Sequence, residues 1–99
     1  MSDTLPGADF WQRVNTVVNV SNDQCDTTAP TEVGASTMFA SARFNAFLLA
    51  KSTGTAANLT TEKERALDYF TAQYREMLGA NLDDFIANFE QYMKPPAQQ

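Results

Sequence analysis

The sequence predicts an all-α protein: an up-and-down bundle of three long helices plus a shorter C-terminal fourth helix, either separate from the third or continuous with it. Three observations carry this. The longest apolar run, Met38 to Ala50, is rich in Ala and Leu and contains neither Gly nor Pro, so it favours helix. Elsewhere the apolar residues recur at helical spacing. Between these stretches stand Pro30, Gly54 and Pro95-Pro96, which divide the chain into helix-length pieces. On a helix of ~100° per residue, Met38, Phe39, Ala42, Ala46 and Leu49 fall on one side of the apolar run, and Ala40, Phe44, Phe47 and Leu48 on nearly the opposite side. A helix apolar on two faces is expected inside a bundle, enclosed on both flanks.

Taken in order, residues 1–8 end in Pro6-Gly7 and read as a flexible arm. Residues 9–94 form the expected single helical domain, and 95–99 a disordered tail. Asp9 is a plausible N-cap for a first helix from Phe10 to about Gln24, with Phe10, Val14, Val17 and Ser21 along one face. The β-branched valines weaken helix propensity, but that face decides for helix over strand. Pro30 ends the polar connection Cys25–Pro30, and a second helix follows from Thr31 or Glu32 to about Ser52, with Gly54 placed for a left-handed C-terminal turn.

Thr53 to Thr60 reads as a loop of small residues. Thr61-Glu62-Lys63-Glu64 has the form of a capping box and sets the expected start of the third helix, whose inner face is Leu67, Phe70, Tyr74, Met77 and Leu78. Gly79 is a candidate terminator, with Asn81-Leu82-Asp83-Asp84 opening a fourth helix that carries Phe85, Ile86, Phe89 and Met93 and stops at Lys94-Pro95.

Composition excludes several chemistries. The chain has no His and one cysteine, Cys25, so Ser-His-Asp and Cys-His catalysis, an internal disulfide and a Glu-x-x-His metal bundle cannot be built from one copy. No catalytic residues, cofactor or metal ligands are assigned. Asp83-Asp84, the most conspicuous carboxylate pair, diverges by ~100° and is expected merely to complement a helix N-terminus. Seven basic against twelve acidic side chains give a net charge of −5, which opposes binding to nucleic-acid phosphates and to anionic membranes. The N-terminal residues lack signal-peptide character, no segment approaches ~18 uninterrupted apolar residues, and an unpaired Cys fits a reducing compartment. The expected location is the cytoplasm.

The candidate contact residues are Arg43, Asn45, Ser41, Gly34 and Tyr74. A guanidinium within an apolar helix must be paired or reach water, and Asp84 or Glu76 would suit Arg43 as partner. Asn45 shares a strip of small, weakly polar residues with Gly34, Ser41 and Ser52, which lets another helix approach closely. Phe10 and Trp11 read as core anchors or else as an exposed hot spot for a partner, and Met38, Met77 and Met93 as gap-filling core residues.

Phe10-Trp11, the run Ala42-Arg43-Phe44-Asn45-Ala46-Phe47, and Tyr74-Arg75-Glu76-Met77-Leu78 leading into Asn81-Leu82-Asp83-Asp84-Phe85-Ile86 and Phe89 together resemble a family of short bacterial proteins catalogued only as a domain of unknown function. The resemblance covers roughly residues 9–93. It implies a compact helical domain of the bacterial cytoplasm and brings no activity with it.

The functional expectation is therefore a non-enzymatic interaction or structural module that self-associates as a homo-oligomer, a dimer first of all, or binds another protein. A small core of roughly 5–10 kcal/mol net stability adds to the case for subunit contacts. Two other classes stand beside it. One is a small-ligand binder with a pocket between the second, third and fourth helices near Arg43, Asn45 and Tyr74. The other is an acidic inhibitor or decoy presenting Glu62, Asp68, Glu76, Asp83 and Glu90 to a basic partner.

Overall fold

A computed structural model of the chain describes residues 7–94, and the expected arm over 1–6 and tail over 95–99 lie outside them. Four helices follow one another: α1 (Ala8–Gln24), α2 (Pro30–Thr53), α3 (Ala56–Ala87) and α4 (Phe89–Met93). No strand occurs among the described residues. The all-α class, three long helices and short fourth are as the sequence predicts. The chain divides into two compact units, one within Met1–Ser52 and one within Thr53–Gln99.

In the first unit, Gly7 stands at the N-cap of α1, and Asp9 lies in the first turn, where its charge complements the helix dipole. The helix ends through Cys25, whose N–H donates back to Ser21 and Asn22. Pro30 opens α2 at a position where the missing N–H would have had no helical partner. Between the two helices, Ser21 Oγ and Thr37 Oγ1 share a hydrogen bond of 2.9 Å. One turn before Thr37, Val33 is the sole buried hydrophobic side chain among the described residues, 3% exposed. The link between α1 and α2 therefore lies near their turn.

Gly54 closes α2 with φ 81°, the left-handed turn its position predicts. The next helix starts earlier than expected. Thr55 is its N-cap, its hydroxyl accepting from Asn58 N at 3.1 Å, and Asn58 Nδ2 donates to Thr53 O at 2.9 Å. Thr60 and Thr61 lie inside the helix and return their hydroxyls to Ala56 and Ala57 carbonyls. The expected capping box at Thr61 is thus not the helix start. Thr55 offers the same chemistry six residues sooner, and Ala56-Ala57 behind it are good helix formers.

At the other end, α3 runs through Gly79, and Asn81 donates to Met77 O at 2.8 Å instead of capping a new helix. One glycine costs an exposed helix only about 1 kcal/mol, too little to break a run flanked by Leu, Met and Ala. The break falls at Asn88, with φ −119° and ψ 30°.

Candidate interaction surface

The expectation that residues 38–50 are enclosed on two flanks is not met within the chain: Phe39 and Phe44 are each 63% exposed. Phe47, Leu48 and Met38 are also exposed, as are Trp11, Met77 and Met93, which the sequence suggests as core. Periodicity tells which residues share a face. It does not tell which face meets another part of the same chain.

The sheltered side of each helix is chemically mixed. On α2 the row Val33, Thr37, Asn45, Leu49 and Thr53, at multiples of four residues, is buried or half-buried. On α3 the corresponding row is Leu59, Glu62, Ala66, Phe70 and Gln73, at spacings of three and four. On α1 it is Val14 and Ser21. Of the inner face expected for the third helix, only Phe70 is half-buried; Leu67, Tyr74, Met77 and Leu78 are exposed. The more apolar arc of α3 is thus rotated away from its sheltered arc.

The five candidate contact residues separate accordingly. Gly34, Ser41 and Asn45 fall within about 40° of arc on α2, as their spacing requires. Asn45 is half-buried, Ser41 and Gly34 are exposed, and a Cβ built on Gly34 meets nothing within 4 Å. That strip has no close helical neighbour at Gly34. Arg43 projects from the opposite side of α2, with its guanidinium 5.2 Å from the centroid of the Phe39 ring. A cation over an aromatic face is a partner in its own right, worth about 0.5–1 kcal/mol at an exposed site. Lys51 stands similarly over Phe47, at 5.7 Å. Each cation thus lies over an exposed aromatic ring of α2. In the second unit, Tyr74 is about half exposed.

Sequence reasoning missed one cluster. Tyr92 donates its hydroxyl to Asp84 Oδ2 at 2.6 Å, and Asn88 Nδ2 donates to Asp84 Oδ1 at 2.8 Å. The rings of Phe85 and Tyr92 stack with centroids 4.0 Å apart. This hydrogen bond, with the nearby carboxylate charge, raises the Tyr92 pKa above its ordinary value of 10.0. Asp84 therefore ties α4 to α3 across the break instead of opening a helix. The spacing Asp84, Asn88, Tyr92, each four residues apart, was the available signal. The concavity beside it, formed by six consecutive residues from Ile86 to Gln91, is shallow and open. No group of three or more carboxylate or thiol side chains among the described residues is placed to hold a metal ion.

The acidic side chains of α3 do not form an unbroken surface. Arg65 pairs with Glu62 at 3.7 Å, and Arg65 and Arg75 fall in the same half of the helix as Asp68, Glu76 and Asp83. No helix among the described residues is long and apolar enough to cross a membrane.

These features define a small all-α domain distinguished by its outward apolar helix faces. The chain belongs to the family described as "Protein of unknown function (DUF3144)", whose model matches residues 10–86. It is similar to the protein NB7890A from Shewanella sp., solved by NMR, with 34% identity and a TM-score of 0.72 over 92% of this chain and 95% of that one. No curated protein matches the chain.

Proposed function

We propose that this chain is a non-enzymatic interaction or structural module of the cytoplasm that works by self-association. The observation supporting it most directly is the contrast between Val33, the sole buried hydrophobic side chain among the described residues, and the exposed Trp11, Phe39, Phe44, Phe47, Leu78 and Ile86. Most helical stability in proteins comes from packing an apolar face. Soluble monomers rarely leave contiguous apolar patches beyond a few hundred Å² uncovered. A second copy of the chain supplies the missing cover with no further component. The absence of His from the sequence and the single exposed Cys25 are in keeping with a role in contact rather than catalysis.

The acidic-decoy reading is weakened by the arginines interspersed among its carboxylates. Sedimentation equilibrium at micromolar concentration tests the proposal. Twice the chain mass of 10.9 kDa, or a higher multiple, is expected. A single species at the chain mass across the concentration range would overturn it.

A further inference from the structure

We infer that α3 is the dimer interface, and that two copies of it pack antiparallel about a two-fold axis passing near residue 76. This deepens the self-association proposed above and rests on it. The outward arc of α3 carries Leu67, Tyr74, Leu78, Leu82, Phe85 and Ile86, all exposed by 40% or more, with Ile86 at 72%. At ~100° per residue they lie within about 120° of arc, which Asp68, Thr71 and Arg75 share towards the Ile86 side, so the unbroken apolar part is the narrower row of Leu67, Tyr74, Leu78 and Phe85. From Leu67 to Phe85 the row runs about 27 Å along the helix.

Side chains of this size carry roughly 150–250 Å² each, so about half of that exposed on six residues amounts to about 600 Å² per copy. Two copies would bury up to about 1,200 Å² from this row, the lower end of what stable interfaces bury. One helix therefore supplies the area a specific dimer needs.

The pattern of residues fixes the direction. Leu67, Tyr74, Leu78 and Phe85 lie within about 40° of arc. They are also symmetric about residue 76: Tyr74 and Leu78 are two positions away, Leu67 and Phe85 nine. Antiparallel packing therefore sets Tyr74 against Leu78 of the second copy and Leu67 against its Phe85. Each of these layers then holds one aromatic and one Leu, a nearly constant volume, and the same axis sets Thr71 against Asn81 as a polar layer between them. A parallel in-register pair would instead alternate Leu-Leu with aromatic-aromatic layers. The antiparallel arrangement also opposes the two helix dipoles.

The test uses the full chain with Cys25→Ser, in two single-cysteine forms, Tyr74→Cys and Leu78→Cys, carrying tags of different mass. The two are mixed, allowed to exchange and treated with a short bis-maleimide cross-linker. The expected product joins position 74 of one copy to position 78 of the other, at least about fivefold over either homotypic product. Random encounter gives only about twofold by simple mixing. Leu78→Asp in the otherwise unchanged chain is expected to weaken dimerisation by about 100-fold or more, as for a central interface residue.

Homotypic products in excess, or no cross-link while the parent chain still sediments as an oligomer, would overturn the α3 pairing and leave self-association standing. A monomeric parent chain would overturn both. A monomer in which Leu78→Asp lowers the melting temperature would assign the row to the chain's own core.

Discussion

The turn between α1 and α2 and the break between α3 and α4 are held by different physics. At the first, water is excluded: Val33 is buried, and the Ser21–Thr37 hydrogen bond links groups sixteen residues apart in a part-buried setting. At the second, every participant is exposed, and the join depends on directed contacts spanning eight residues, with Asp84 accepting from Tyr92 and Asn88. Burying an aliphatic side chain is worth about 1.5–3 kcal/mol, whereas a typical hydrogen bond contributes about 0.5–1.5 kcal/mol net. The first joint therefore rests on exclusion of water, whereas the more numerous contacts of the second must compete with it.

Substitution can break that contrast, with stability read from denaturant unfolding at one fixed protein concentration, since the self-association proposed above would make the midpoint concentration-dependent. The largest effect is expected from Val33→Ala, a loss of about 2 kcal/mol from deleted methyl groups and the void left behind. A loss under about 0.5 kcal/mol would show that Val33 is not a packing anchor, and the contrast would fail.

Thr55→Ala sharpens the comparison from a third place, the cap of α3. It should cost about 1 kcal/mol, and Thr55→Ser should restore most of it if the hydroxyl is what matters. Equal losses in both variants would exclude capping as the cause.

The glycine before α3 and the glycine inside it should respond with opposite signs. A Cβ at Gly54 meets nothing within 4 Å, yet φ 81° is left-handed, so Gly54→Ala should destabilise by about 1 kcal/mol through backbone conformation alone. Gly79 lies mid-helix with equally open space, and Gly79→Ala should stabilise by about 0.5–1 kcal/mol. A loss at Gly79 would mean that another chain approaches the backbone there.

The smallest change is expected from Tyr92→Phe. Its pH signature is more informative than its size. The folded pKa of Tyr92 is raised above 10.0, so the hydroxyl's contribution is complete below the unfolded value and is lost as pH rises through the folded one. Parent and variant stabilities should converge only on the alkaline side of pH 10. A difference that stayed constant across that range would dissociate the α4 join from the Tyr92–Asp84 hydrogen bond.

Much of the fold was legible because its signals are local. Gly54 reads as a left-handed terminator since few other residues tolerate that backbone, and Pro30 marks a helix boundary whichever neighbour it has. The start of α3 was misread where two Thr-led caps competed within six residues, a choice settled by the Asn58 bonds to Thr55 and Thr53. The join at Asp84 was hidden because an acid after Asn81-Leu82 looks like a helix start, and only the continuity of α3 through Gly79 makes it an acceptor for Tyr92. Of the candidate contact residues, the shared strip of Gly34, Ser41 and Asn45 follows from spacing. The partner of Arg43 does not, since Phe39 competes with any carboxylate for its charge.

By itself, then, the amino-acid order determined the helices, their approximate ends and which residues travel together on each face, because backbone hydrogen bonding and ~3.6-residue periodicity act within a few neighbours. Which arc of each helix is sheltered was decided only in three dimensions. Phe70 and Gln73 are half-buried while Leu67 and Leu78 stand exposed on the same helix. Hydrophobic burial is non-directional: it requires that an apolar face be covered and is indifferent to whether the cover comes from the same chain or another copy.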